Sequence, residues 1–127
     1  MIRAKSTVKI NWPRINELSR AAVVSLEQTA EALHTDVVQA QVIPFDTGNL
    51  QNESFWVDYA NSNKGIVTLN HSTPYARRLY FHPEYNFSTD ENPNAKGNWY
   101  EDWKEGGSKE DWCAKTFAEL YRRNAGI

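Results

Sequence analysis

"PRINELSRAAVVSLEQTAEALHTDVVQAQ", residues 13–41, contains no Gly, and its one Pro stands first. Ile15, Leu18, Ala22, Leu26, Ala30, Leu33 and Val37 recur every three or four positions. That mean step matches the α-helical repeat, so the stretch predicts one unbroken amphipathic helix with an apolar stripe. The ring of Pro13 already holds the φ of a first helical turn, and Pro44 marks where the helix must have stopped. At 1.5 Å per residue, residues 14–41 would span about 42 Å. A compact globule of this chain length is roughly 36 Å across. A helix as long as its domain is wide either overhangs into a neighbouring molecule or belongs to an elongated domain.

Upstream, "TVKINW" (7–12) alternates Val8, Ile10 and Trp12 against Lys9 and Asn11, as a strand with one wet face would. Downstream, "PFDTGNL" is turn chemistry, with Asp46 able to bond the backbone two residues on and Gly48 free in φ. "QNESFWVDY" then reads as a strand with Phe55, Val57 and Tyr59 on one face, and "IVTLNH" as its antiparallel return across "ANSNKG". Ile66 and Leu69 are the expected inward anchors of the return strand, and their odd spacing requires a bulge. "STPYARRLY" predicts a short helix over Tyr75–Tyr80. Residues 81–107 show little periodicity, yet Phe81, Tyr85, Phe87, Trp99, Tyr100 and Trp103 fall among them. Disordered segments are poor in such rings, so this arm is expected to be ordered by packing, on its own chain or on another. Ser108 with Asp111 suggests a capped helix start. Trp112, Cys113, Thr116, Phe117, Leu120 and Tyr121 line one face of that last helix, with Arg122 and Arg123 near its negative end. The expected fold is α+β: a long N-terminal helix packed on a small antiparallel sheet, an extended aromatic-rich loop and a C-terminal helix.

The 127 residues suit a single domain spanning 1–127. The lone Cys113 excludes an internal disulfide and a Cys-based zinc site. No apolar run nears the ~20 residues of a membrane span, and residues 1–12 lack the apolar centre of a signal peptide. The net charge of −2 conceals a segregation: residues 1–20 hold five basic side chains against Glu17, whereas residues 21–63 hold six acids and no Lys or Arg. Such asymmetry suits opposite charges facing different neighbours. It is the wrong balance for a protein that works by neutralising phosphates.

Few residues offer catalysis. His71, His82 and Glu84 are of metal-ligating type but match none of the familiar ligand spacings. A small nuclease built on them is the enzymatic alternative, and divalent-metal-dependent cleavage of DNA would be its sign. Cys113 lies on an apolar helix face beside Glu110 and Asp111, which disfavour a thiolate. Tyr75, Tyr80, Phe81, Tyr85 and Phe87 interleaved with Arg77 and Arg78 have the composition of a single-strand stacking platform, but residues 65–95 contain no Lys. Large rings and arginines are also what protein interfaces enrich, because they bury much area and still satisfy a polar edge. On that ground Arg77, Arg78, Tyr80, Phe81, Tyr85, Trp99 and Trp103 are the expected intersubunit contacts. No catalytic residue, metal ligand or cofactor is expected.

Three stretches together, "PFDTGNLQNES", "STPYARRLYFHPEYNF" and "NPNAKGNWYEDW", resemble a family of minor capsid proteins of tailed phages, chiefly those infecting Gram-positive bacteria. The resemblance runs from about residue 40 to the C-terminus, and the third stretch is its most specific part. Asp-Thr-Gly-x-Leu and Pro-Tyr-Ala are shared more loosely with head–tail joining and tail completion proteins. In that wider group Pro-Tyr-Ala typically precedes a Glu-x-Gly turn, whereas here Arg77-Arg78-Leu79-Tyr80-Phe81-His82 follows. The resemblance implies a non-enzymatic virion protein without a cofactor. It would lie in the neck, in a ring of copies between a portal-side stopper and a tail terminator, with DNA passing through and no membrane involved. The stretch lacking Lys and Arg would then suit a lining along which DNA slides.

Overall fold

A computed structural model describes residues 12–44, 55–72 and 75–127. The strand expected over 7–12 and the turn around Asp46 and Gly48 lie outside the described residues, except that Trp12 opens a helix. That helix, α1, runs Trp12–Gln39 without interruption. It is followed by β1 (Phe55–Asp58), β2 (Thr68–His71), α2 (Ala76–Tyr80) and α3 (Trp112–Ala125), with short 3-10 turns at Ser62–Lys64 and Glu101–Trp103. The architecture is α+β, as the periodicities predict.

Within α1 the burial differs in detail from the leucine stripe. Ala21, Ser25, Thr29, Ala30 and Val37 are buried, whereas Leu18, Leu26 and Leu33 are half-buried and Ile15 is exposed. The Ala21–Ser25–Thr29 row, one residue per turn, is small enough for α3 to lie close against α1. Its hydroxyls cost little there, because Ser25 donates to the Ala21 carbonyl at 2.6 Å and Thr29 to the Ser25 carbonyl at 2.7 Å. Asn124 of α3 donates to Ser25 Oγ at 2.9 Å and to Gln28 Oε1 at 2.8 Å. At the other end of α3, Lys109 reaches Asp36 at 3.3 Å. The helices are therefore antiparallel.

β1 and β2 pair antiparallel in plain register, Phe55 opposite His71 and Val57 opposite Leu69. No bulge intervenes, because Leu69 alone supplies the inward residue: Ile66 lies before the strand and is 54% exposed. Tyr59 likewise falls beyond β1, and its hydroxyl reaches Glu31 of α1. The turn between the strands ends on Gly65 at φ +82°, a conformation that residues with a Cβ resist. Phe55 stacks flat on His34 of α1, ring centroids 3.5 Å apart, and so fixes the hairpin to the helix.

The arm expected over 81–107 divides in two. Residues 92–103 turn back onto their own chain and complete its core, which Val37, Val42, Ile43, Ala76, Trp99 and Trp103 compose. After α1, Gln41 takes a left-handed φ of +58° and returns Val42 and Ile43 to the interior. Four hydrogen bonds then strap the arm across the helix end. Asn94 donates from its amide side chain to the Ala40 carbonyl at 3.0 Å and from its backbone to Gln41 at 3.2 Å. Lys96 N–H donates to Val42 at 2.9 Å, and the buried Asn92 side chain to Ile43 at 2.8 Å. Carbonyls at and just beyond a helix C-terminus have no partner within the helix, so this strap is what lets that end be buried.

α3 begins at Trp112 with Asp111 before it, and neither Ser108 nor Asp111 makes a capping bond from its side chain. The expected capping box is displaced because residues 107–111 form turns instead. That path needs glycine at 107, where a Cβ would meet the Glu101 carbonyl oxygen at 2.2 Å.

Candidate protein-interaction surface

α2 is short, and what holds it is the strap. Asn98 N–H donates to the Tyr80 carbonyl at 2.8 Å. At Gly97 the two segments run so close that a Cβ would stand 2.8 Å from Pro83 Cα. Tyr80 packs edge-on against Trp99, centroids 4.8 Å apart, and its hydroxyl accepts from Lys104 Nζ at 3.1 Å. That bond holds the Lys104 ammonium's pKa above its ordinary value.

On this base the expected contact residues separate into two groups. Arg77, Arg78, Phe81 and Tyr85 are exposed, Phe81 at 64%. They make two pairs. The Arg77 guanidinium lies 6.0 Å from the Phe81 ring centroid. Arg78 Nε reaches the Tyr85 hydroxyl at 3.4 Å, and Tyr85 stacks on His82 at 4.7 Å. His82 in turn pairs with Glu84 at 2.7 Å, which lowers the carboxyl's pKa. Neither arginine meets a carboxylate among the described residues. Tyr80 is half-buried, with its ring shared between core and surface.

Trp99 and Trp103 do not belong to this surface. They are 1% and 6% exposed, at the centre of the chain's own core. Trp103 Nε1 donates to Asp36 at 2.8 Å, with Lys109 lying 4.9 Å above its ring. Both tryptophans were expected at an interface because interfaces and cores enrich the same rings. The strap decides between them, bringing residues 99–103 inside. Asp36, read from sequence only as one of the acidic run, is the anchor for Trp103.

Between β2 and α2 an open groove of about 410 Å³ is lined by Leu69, His71, Arg77, Tyr80, Trp99 and Lys104, among others. His71 Nε2 and the Tyr100 hydroxyl share a hydrogen bond of 2.6 Å on its wall. Burial pushes the Tyr100 phenol well above its ordinary pKa, and the nearby Trp99 indole offsets part of that push. Trp99 Nε1 itself reaches no acceptor at hydrogen-bond geometry among the described residues. The three residues of the enzymatic alternative divide between two hydrogen-bonded pairs. His71 is engaged with Tyr100, whereas His82 and Glu84 pair with each other. The described residues hold no cluster of three His, Cys, Asp or Glu side chains able to bind a metal ion. Burial, and then Asp36, raise the pKa of the Cys113 thiol, the wrong direction for a nucleophile.

No family model, curated protein or solved structure matches this chain.

Guanidinium and aromatic groups stand in a fixed arrangement on a scaffold closed by the strap.

Proposed function

We propose that this chain is a non-enzymatic structural protein of a tailed-phage virion, part of the neck that joins head to tail. It would act as one copy in a ring, between a portal-side stopper and a tail terminator, with DNA passing and not recognised by sequence. The observation that carries this reading is the joint exposure of Arg77, Arg78, Phe81 and Tyr85 on a scaffold that "NPNAKGNWYEDW" completes. The stretch most specific to the resembled family is thus also the one that holds the contact surface in place. Arginines and exposed aromatic rings are the side chains that protein interfaces enrich.

The test is imaging of purified virions carrying this protein with a dense label on its C-terminus. Label at the head–tail junction supports the reading. Label on the shell or tail tip, or none in the particle, overturns it.

A further inference from the structure

The molecule has a second exposed patch, of opposite sign. On α1, Glu27 and Glu31 stand one turn apart, with Val24 43% exposed one turn before them. Tyr59, 39% exposed, leans over from the end of β1 and donates its hydroxyl to Glu31. Neither carboxylate has a cationic partner among the described residues, and residues 21–63 contain no Lys or Arg. Here an apolar side chain and an aromatic ring flank carboxylates that meet no cation among the described residues. On α2 and the turn after it, aromatic rings flank arginines without carboxylate partners.

From this complementarity we infer that the Arg77–Arg78–Phe81 surface of one copy docks on the Val24–Glu27–Glu31–Tyr59 surface of a second copy. Used once between two copies, the contact leaves the carboxylate surface of one copy and the arginine surface of the other free. Repeated in that way it gives a closed ring or an open filament, and used reciprocally between two copies it gives a symmetric dimer. Exposed Val24 and Tyr59 beside the carboxylates favour a covered contact there over a water-filled lining for DNA. The inference rests on the assembly reading above only for its biological setting.

A charge exchange tests it. Variant one carries Arg77→Glu and Arg78→Glu; variant two carries Glu27→Lys and Glu31→Lys. All four side chains lie outside the buried core, and near-UV circular dichroism checks that each variant is folded. Sedimentation velocity of the wild-type chain, over rising concentration and at low and high salt, should show self-association that salt weakens. Either variant alone should associate at least about tenfold more weakly, because like charges now face each other. An equal mixture of the two should regain association, since both of its mixed contacts pair opposite charges. Wild-type chain that stays monomeric throughout, a variant that associates as well as wild type, or a mixture that stays apart would each overturn the inference. Those results leave the virion labelling untouched, so failure of this contact and failure of the neck reading are separate outcomes.

Discussion

Residues 75–87 and residues 92–103 are alike in composition, each rich in rings and each marked by Pro and Asn, yet they end on opposite sides of the surface. In the second stretch Trp99 and Trp103 reach near-complete burial. In the first, Phe81 and Tyr85 stay in water and only Ala76 is buried. The difference lies in where the backbone polar groups go. Asn92, Asn94 and Lys96 bond the end of α1, and those bonds bring the following rings inside. The first stretch bonds mainly within itself through α2 and the turn after it, and of its rings Tyr80 packs on the core while Phe81 and Tyr85 stay outside. Aromatic content alone does not distinguish a core from a contact surface.

The contrast breaks most visibly at Trp99. Trp99→Ala should lower unfolding stability by about 3–5 kcal/mol, as removal of a buried indole does. Urea denaturation followed by far-ultraviolet circular dichroism measures it, and a loss below that of ordinary surface changes would remove Trp99 from the core. Asn92→Ala comes next. It leaves the Ile43 carbonyl unsatisfied in the interior and should cost about 1–3 kcal/mol by the same measurement.

Tyr59 sharpens the comparison from the exposed side. Its hydrogen bond to Glu31, followed by burial and the charges of Glu31 and Glu27, pushes its pKa up to about 12. A folded-state value above the unfolded one near 10 means the contribution to stability is full below pH ~10 and is lost as pH rises through about 12. Ultraviolet titration of tyrosinate in Glu31→Gln should show one phenol returning toward about 10. The smallest effect belongs to Phe81. Phe81→Ser should change the stability of the free protein by less than about 0.5 kcal/mol, while weakening self-association.

α1 was legible from its sequence because 28 residues without an internal Gly or a second Pro leave few alternatives to a helix. The hairpin was legible from its alternation and from Gly65. What composition concealed was tertiary. Ser25 and Thr29 look like surface residues, and they are buried only because each hydroxyl bonds a carbonyl one turn back. The strap could not be read, since Asn92 finds its acceptor 49 positions away. Of the residues expected to make contacts, Arg77, Arg78, Phe81 and Tyr85 are exposed. The two tryptophans failed to join them for the reason just given: their place depends on bonds made by neighbours with no apolar signature.

The strap has a mechanical consequence. Its bonds to Ala40, Gln41, Val42 and Ile43 lie along four successive residues, and Asn98 ties the same segment to Tyr80. A pull applied at Phe81 is therefore shared across several bonds at once and does not peel them one after another. Force at that ring would be led, through Tyr80 and Asn98, to the residues just past the end of α1.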